Sequence, residues 1–297
     1  MSKDWIKMVL GAVTGDAPVL IAGPTASGKS ALAMAIAAKT GGPVVNADAL
    51  QVYSDWRILT ARPSKTDEAT IPHALYGHVP GADAYSVGHW LRDVSRYLSG
   101  PPPVIVGGTG LYFTALTEGL ADIPPTPLSV REQADKKLRE TGLDGLLSEL
   151  DDATISRIDT NNPARVQRAW EVLRTTGRGL AGWQDDTGPA LLPSASAQKF
   201  VFHAPKTWLN PRIEQRLDIM LRDGALAEAE ENAPNWHPKL PSAKAIGATE
   251  LVAVVSGEME LETAKSRIVT LTRQYAKRQR SWFRGRMSDW IWLDPTV

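Results

Sequence analysis

Residues 23–30 of this 297-residue chain read GPTASGKS, a complete GxxxxGK[ST] phosphate-binding loop. The apolar run 18–22 before the loop is typical of a buried parallel strand, and the alanine-rich run 31–38 after it favours a helix. The glycines allow backbone amides to surround a phosphate, Lys29 adds a positive charge, and the Ser30 hydroxyl can bind magnesium. The stretch therefore predicts a P-loop NTPase-like α/β fold, with a parallel sheet flanked by helices, and phosphate chemistry.

Composition narrows the class of protein further. The chain is 43% hydrophobic and 22% charged, which is typical of a globular protein with a substantial core. It contains no cysteine, so disulfides, thiolate metal sites and cysteine nucleophiles are excluded, and we expect a cytoplasmic location. No run of about twenty apolar residues occurs, so we predict neither a membrane-spanning segment nor a membrane partner.

Further strands are predicted at 43–48, 103–108, 199–204 and 290–293, where short apolar runs occur. The first two end in polar or glycine residues, at the edge where parallel α/β sheets place their sites. We therefore expect the functional site along the carboxyl edge of the sheet.

The segment 121–197 differs in character from its surroundings. It opens with a proline-rich stretch, continues with charged helical patterns and ends in a loop-like stretch. We interpret it as an inserted, mainly helical module between two parts of a catalytic core, 1–120 and 198–297. The alternative is that these helices simply cover the sheet.

Charge is concentrated near the C-terminus, although the net charge of the whole chain is zero. Eight basic residues and no acidic residue lie between Lys265 and Arg286. In a helix, basic side chains would share one face, and apolar side chains would lie nearly opposite them. The basic set is Arg273, Lys277, Arg280 and Arg284, and the apolar set is Ile268, Leu271, Tyr275 and Trp282. We predict a polyanion partner for this helix and interpret Tyr275 and Trp282 as core-facing; the alternative is a solvated charged face.

Asp48 is the carboxylate best placed for chemistry at the predicted edge. Many phosphate-loop enzymes carry an aspartate at the end of a later strand, but the strand at 103–108 continues into VGGTG instead. Asp48 follows the strand at 43–48 and could orient magnesium, act as a general base, or cap the next helix.

A series of blocks in fixed order resembles the signature of bacterial tRNA dimethylallyltransferases over nearly the whole chain. These blocks are GPTASGKS (23–30), ADALQVY (47–53), TARP (60–63), PH (72–73), YSV (85–87), VGGTGLY (106–112), NNPARVQRAWEV (161–172), RIEQR (212–216), KAIG (244–247) and TRQYAKRQRSWFR (272–284). The resemblance implies transfer of a dimethylallyl group from dimethylallyl diphosphate to the exocyclic N6 amine of the adenosine 3′-adjacent to the anticodon of tRNA. It also implies Mg2+, release of diphosphate, recognition of the anticodon stem-loop and, we expect, a monomer.

The resemblance assigns roles residue by residue. It implies that Asp48 is the catalytic base, that Thr109 orients the amine and that Lys29 stabilises the leaving group. Diphosphate would be bound by Gly23, Pro24, Thr25, Ala26, Ser27, Gly28, Lys29, Ser30 and Arg216, with Ser30 also binding the metal. The tRNA would be bound by Asp48, Ala49, Leu50, Gln51, Thr109, Arg131, Arg165, Arg168, Lys244, Gly247, Arg273, Lys277 and Arg280.

Three positions depart from the family pattern. Leu59 stands where glycine is usual, Asn162 where an acidic residue is common, and Ala248 where many members have tyrosine. We expect none of them to touch the core chemistry. Two alternatives to tRNA modification stay open at this point: prenylation of free adenosine phosphates, and a small-molecule P-loop kinase.

Overall fold

The computed structural model describes residues 4–296, so residues 1–3 and Val297 of the predicted core lie outside the described part. The chain forms two compact units. The first comprises the chain up to Thr117 and from Leu191 onward, and the second is Glu118–Ala190. These boundaries lie a few residues from the sequence-based boundaries of the helical module, 121 and 197.

A six-stranded, all-parallel sheet forms the centre of the first unit, in the order β3-β2-β4-β1-β5-β6. The central strand β1 places Val19 beside Val104 of β4 on one side and beside Gln198 of β5 on the other. The strands are β1 (Val19–Ala22), β2 (Val44–Asn46), β3 (His73–Ala74), β4 (Val104–Gly107), β5 (Gln198–Phe202) and β6 (Ile291–Leu293). The predicted α/β fold is confirmed, and only the short edge strand β3 had no counterpart in the sequence prediction.

Thirteen α-helices accompany the sheet within residues 4–296. In chain order they are α1 (Asp4–Ala12), α2 (Lys29–Thr40), α3 (Lys65–Thr70), α4 (Val87–Ser95), α5 (Gly110–Glu118), α6 (Leu128–Leu147), α7 (Asp152–Arg157), α8 (Pro163–Thr176), α9 (Leu180–Asp185), α10 (Lys206–Arg222), α11 (Ala225–Asn232), α12 (Ala248–Val255) and α13 (Leu261–Arg286).

Both faces of the sheet are covered, because successive residues of a strand point to opposite sides. Leu20 of β1 belongs to a core with residues of α4, α5 and α13, whereas Ile21 belongs to a core with residues of α1 and α2. A third core lies among α10, α11, α12 and α13 and includes Trp56 and Leu59. The site described below lies between this helical group and the carboxyl edge of the sheet.

The second unit consists of α6, α7, α8 and α9, with a core of its own that includes Ala134, Leu146 and Trp170. Helix α8 begins with Pro163 at its first position, and the Asn162 side chain accepts a hydrogen bond from the Arg165 amide. This arrangement satisfies one of the amides that a helix N-terminus leaves unpaired. Asn162, a departure from the family pattern, therefore acts as a helix cap.

Candidate active site

The site is assembled where three parallel strands end. Strand β1 leads into the phosphate-binding loop, β2 leads to Asp48, and β4 leads to Gly108 and Thr109. The Ala47 amide donates to the Val106 carbonyl at 2.8 Å, and the Thr109 amide donates to the Ala47 carbonyl at 3.2 Å. These bonds extend the β2–β4 ladder by one step and hold the Asp48 segment against the Gly108 turn.

The phosphate-binding loop has the backbone that its glycines predict. Gly28 lies at φ 89° directly before α2, a conformation that is costly for residues with a Cβ. A Cβ on Gly23 would lie 2.8 Å from the Ser27 hydroxyl oxygen and 3.1 Å from Phe202. The loop therefore places its backbone at the N-terminus of α2, where the helix dipole favours an anion.

A cavity opens beside the loop and brings together the main predicted catalytic groups. Lys29, Asp48 and Arg216 all line it. The other lining residues are of two kinds: the polar ones are Thr25, Gln51, Thr60, Thr272 and Tyr275, and the apolar ones are Leu50, Leu59, Ile213, Leu217, Met220, Ile246 and Ile268. The cavity therefore combines charged groups with a hydrocarbon surface.

A second cavity lies beside the same loop. It is lined by Ala26, Ser27, Gly28, Lys29, Ser30, Arg212, Gln215, Arg216 and Ile219. Lys29 and Arg216 border both cavities. Their positive charges therefore stand between a cradle of loop residues and the chamber that holds Asp48.

Electrostatics at this junction favour a bound anion. Burial lowers the pKa of Lys29 to about 8, Asp48 opposes this shift, and Arg216 adds to it. Burial also lowers the pKa of Arg216, again opposed by Asp48. Two half-buried cations with one nearby carboxylate leave an excess of positive charge, which an anion at the loop would neutralise.

Asp48 is held in place by its own chain. The Asn46 side chain accepts from the Asp48 amide at 2.8 Å and donates to the Asp48 carbonyl at 2.9 Å. The Leu50 amide donates to Asp48 Oδ1 at 3.0 Å, an interaction within the turn that follows β2. Oδ2 lies toward Gly108, because a Cβ on that glycine would be 3.1 Å from it. Local turn bonds thus occupy one carboxylate oxygen, and the other lies toward the Gly108 turn.

Thr109 lies opposite this carboxylate segment. Its hydroxyl oxygen accepts a hydrogen bond from the Ala49 amide at 2.9 Å, so the side chain stabilises the turn. The Tyr275 hydroxyl lies close to the side chains of Thr109 and Gln279, and burial raises the pKa of Tyr275. Tyr275, interpreted as core-facing, lies on the inner side of α13, where its ring also lines the cavity. Trp282, by contrast, packs against the core beside the sheet, as predicted.

Leu59 also differs from expectation, since it lines the cavity that contains Lys29 and Asp48. The loop that carries Leu59 is fixed by Glu228 of α11, whose buried carboxylate accepts from the amides of Arg57, Ile58 and Leu59 at 2.6, 2.8 and 2.9 Å. The Gln51 amide holds the end of the same loop by donating to the carbonyls of Thr60 and Ala61. Sequence reasoning missed Glu228, because its partners lie about 170 residues away.

Helix α13 presents basic side chains on its outer surface, as predicted. Among residues 4–296, no acidic partner is found within 4 Å of the charged groups of Lys277, Arg278, Arg280 or Arg284. Arg273, however, forms an ion pair with Glu214 of α10. Its charge is therefore partly neutralised within the protein, and its predicted role in tRNA binding stays a prediction.

Leu271 also differs from the prediction. It was placed on the apolar face of the helix, but its side chain is exposed. It borders a shallow cavity with Lys244, Gly247 and Arg278. Lys244 is exposed and Gly247 is buried, with a φ of 98° that explains the need for glycine. The predicted roles of Lys244 and Gly247 in RNA binding stay predictions.

The three arginines predicted in the helical module all belong to the second unit. Arg131 lies on α6, and Arg165 and Arg168 lie one turn apart on α8. Arg165 and Arg131 are exposed, whereas Arg168 donates to the Thr126 hydroxyl at 2.6 Å. Burial lowers the pKa of Arg168; the Glu171 carboxylate, 3.9 Å away, opposes this shift, and the charge of Arg131 adds to it. The predicted contacts of these three arginines with tRNA stay predictions.

Two kinds of feature are absent from residues 4–296. No cluster of three or more histidine or acidic side chains is arranged to hold a metal ion. Likewise, no helix in this part of the chain is long and apolar enough to cross a membrane.

The parallel sheet, the loop at 23–30 and helix α2 define a P-loop α/β protein with a charged cavity at the carboxyl edge of its sheet. Comparison with known proteins then identifies the family. The IPP transferase family model matches residues 51–286, and the isopentenyl transferase model matches residues 18–71. The chain belongs to the IPP transferase family and is a prenyltransferase.

Individual relatives agree with this placement. A protein of Cereibacter sphaeroides named tRNA dimethylallyltransferase is 59% identical over 94% of this chain and 89% of its own length. A protein of Dinoroseobacter shibae with the same name is 57% identical over 96% of this chain and 97% of its own length. A solved eukaryotic dimethylallyltransferase acting on tRNA matches with a TM-score of 0.78 at 26% identity, over 94% of this chain and 73% of that one. The solved structure of the tRNA isopentenylpyrophosphate transferase of Bacillus halodurans matches with a TM-score of 0.65 at 28% identity, over 94% of this chain and 90% of that one.

Proposed function

We propose that this protein transfers the dimethylallyl group of dimethylallyl diphosphate to the N6 amine of the adenosine 3′-adjacent to the anticodon in tRNA. The products are N6-isopentenyladenosine in tRNA and diphosphate. The observation that carries the proposal is the cavity in which Lys29 and Arg216 border both the phosphate-binding loop and a chamber with Asp48 and apolar walls. Membership of the IPP transferase family supports the same chemistry.

The phosphate-binding loop would act as a clamp for the leaving group. When the allylic C–O bond breaks, its electron pair remains on the diphosphate, whose negative charge therefore increases. Backbone amides at the start of α2, Lys29 and Arg216 offer positive potential at the place where this charge develops. No phosphoryl group is transferred in this reaction, so the loop serves a role that differs from its role in kinases.

The apolar part of the chamber suits the hydrocarbon half of the substrate. Leu217, Met220 and Ile246 line the same cavity as the charged groups. A five-carbon prenyl group placed there would be shielded from water, which protects an allylic cation from hydrolysis. The lining of the cavity thus offers partners for both the charged and the apolar part of the substrate.

The nucleophile would enter from the side of Asp48. The amine of adenine is weakly nucleophilic and must lose a proton as the C–N bond forms, so a carboxylate within hydrogen-bond reach would accept that proton. Asp48 and Gln51 line the cavity, and Thr109 lies beside the Asp48 segment, where its hydroxyl oxygen accepts from the Ala49 amide. The adenosine must leave the stacked anticodon loop to reach them, as in other enzymes that modify bases.

Magnesium fits the donors that the chain offers. Mg2+ commonly retains water and substrate phosphate oxygens and takes few protein ligands, so a cluster of acidic side chains is not required. Ser30, exposed at the start of α2, would be a ligand, and Asp48 could orient the hydrated ion. When bound, the ion would neutralise charge on the diphosphate oxygens.

Recognition of the RNA would use the basic surfaces described above. Lys277 and Arg280 of α13 would contact the phosphate backbone, which contributes affinity without sequence specificity. Arg131, Arg165 and Arg168 would contact the anticodon region from the second unit. A free nucleotide needs neither surface, so adenosine monophosphate as acceptor is disfavoured. We further propose a monomeric enzyme in the cytoplasm, a compartment that suits a chain without cysteine.

The test is the transfer of label from radioactive dimethylallyl diphosphate in the presence of Mg2+. We expect label in tRNA, recovered as isopentenyladenosine after digestion, and none in adenosine monophosphate. A tRNA with guanosine at the position 3′ to the anticodon is the matched control and should stay unlabelled. Labelling of the free nucleotide alone, or consumption of ATP without prenyl transfer, would contradict the proposal.

A further inference from the structure

We propose that Gln279 is a positioning residue that fixes the phosphate-binding loop relative to the turn that carries Thr109. The inference rests on the proposed prenyl transfer and concerns how the two reacting groups are held together. Gln279 belongs to α13, and its residue is 5% exposed, so its amide needs partners within the protein.

Both ends of the Gln279 amide bind backbone groups of the site. Its Oε1 accepts a hydrogen bond from the Thr25 amide of the loop at 2.9 Å. Its Nε2 donates to the carbonyl of Gly108 at 3.0 Å, in the turn after β4. A single planar group therefore connects the side of the site that would hold the diphosphate with the side that would hold the amine.

The turn is shaped to receive this amide. A Cβ on Gly108 would lie 2.1 Å from Gln279 Nε2, so a larger residue at position 108 would displace the side chain. The Tyr275 hydroxyl, one turn earlier on α13, lies close to Gln279 and to Thr109. Helix α13 thus reaches the leaving-group loop and the amine-side turn through neighbouring side chains.

The chemistry requires both a donor and an acceptor at this position. Glutamine provides one of each, methionine of similar shape provides neither a donor nor a strong acceptor, and an ionised glutamate provides only acceptors. Because the barrier of a displacement reaction depends steeply on how the reacting atoms are placed, a small relative shift of loop and turn should slow turnover. Binding of tRNA should change little, since Gln279 is buried beneath the basic surface of α13.

The experiment compares Gln279→Met and Gln279→Glu with the wild-type enzyme at saturating dimethylallyl diphosphate and tRNA. We expect Gln279→Met to lower kcat roughly 10- to 100-fold, with the Kd for tRNA within about twofold of wild type. For Gln279→Glu we expect a loss that depends on pH. The ionised carboxylate repels the Gly108 carbonyl, whereas the protonated carboxyl can accept from Thr25 and donate to Gly108.

The decisive readout is the ratio of kcat for Gln279→Glu to kcat for wild type as the pH falls. Asp48, Lys29, Arg216 and Tyr275, the charged and titratable groups of the site, are present in both enzymes, so the ratio isolates the change at position 279. We expect the ratio to rise on acidification. kcat is expressed per folded enzyme, measured by circular dichroism at each pH, because protonation of the buried carboxyl would also restore a misfolded fraction; a defect in the amount of folded enzyme alone then gives a flat ratio.

Gln198 provides a matched control. It also donates through its side-chain amide, to Thr14 at 3.3 Å, but it lies at the amino end of β5, away from the site. Gln198→Met and Gln198→Glu should keep wild-type kcat and a flat pH ratio.

The outcomes separate this inference from the proposed function. A wild-type enzyme that transfers no prenyl group contradicts the proposed function itself. An active wild type with Gln279→Met within twofold of it, or with a pH-independent ratio for Gln279→Glu, overturns the role of Gln279 alone. If Gln279→Met does not fold, the pH ratio of Gln279→Glu still decides.

Discussion

Asp48 combines a fixed backbone with a carboxylate oxygen that points toward the Gly108 turn. Replacing it by asparagine keeps an oxygen that can accept from the Leu50 amide, so the turn should persist. The substituted amide cannot accept the proton of the adenine amine. We expect Asp48→Asn to lower kcat by about 100- to 10,000-fold, the usual contribution of a general base.

The measurement is single-turnover transfer of labelled prenyl, with Kd for tRNA measured in parallel. Asp48→Ala should lose turnover equally and keep tRNA binding within a few fold. If either variant retains wild-type turnover, the carboxylate acts only in the turn that follows β2.

Lys29 gives the site a predicted dependence on pH. Burial lowers its pKa to about 8 from 10.5, so the free enzyme loses this charge across a window in which an ordinary lysine keeps it. Diphosphate affinity should therefore fall as the pH rises through about 8, and at lower pH the charge of Lys29 should no longer make it vary.

Calorimetric titration with inorganic diphosphate and Mg2+ measures this directly. Lys29→Arg is the control, because arginine stays charged throughout this window and should remove the decline. Deprotonation of Lys29 lowers diphosphate affinity but raises the stability of the fold. The unfolded chain binds this proton more tightly than the folded protein, so the free energy of unfolding should rise with pH between about pH 8 and 10.5. An unchanged diphosphate affinity across the window would contradict the account of Lys29.

At the scale of elements, helix α13 serves two functions. Its inner face carries Tyr275 and Gln279 to the site, and its outer face carries basic side chains such as Lys277 and Arg280. The sequence predicts the basic face well, because charge and helical period are local properties. It does not predict which residues of the helix reach the cavity.

We expect the double replacement Lys277→Gln with Arg280→Gln to weaken tRNA binding. Removing one cation that binds a phosphate should reduce the slope of log K against log salt by about 0.7 to 0.9, so removing two should change it by roughly 1.5. The affinity is measured by filter binding over a series of salt concentrations. Lys265→Gln is the control on the same helix, because Lys265 already pairs with Asp218 and Glu262. An unchanged slope in the double variant would contradict this role and indicate that the basic face of α13 is a solvated surface that does not contact RNA phosphates.

At the scale of the molecule, the parallel sheet and the phosphate-binding loop could be predicted because their signals are short runs of sequence. The strand, loop and helix around Lys29 are consecutive, and only steric and helix-forming preferences are needed to assemble them. The location of Asp48 at the carboxyl edge follows from the same reasoning.

The remaining parts of the site depend on interactions between distant residues. Gln279 meets Thr25 across 254 positions of the chain, and Glu228 meets the loop at 57–59 across about 170. No local periodicity encodes such pairs. The sequence did not place Leu59 and Tyr275 at the cavity for the same reason, since the cavity wall combines residues of α10, of α13 and of the segment that contains Ile246.

The central claim is that the phosphate-binding loop holds a departing diphosphate and takes no part in phosphoryl transfer. The direct measurement is the stoichiometry of phosphate products during prenylation of tRNA, with dimethylallyl diphosphate labelled in both its prenyl and its phosphate groups. We predict one diphosphate released for each prenyl group incorporated, with no orthophosphate and no requirement for ATP. Release of orthophosphate in step with turnover, or prenylation that depends on ATP, would contradict the account.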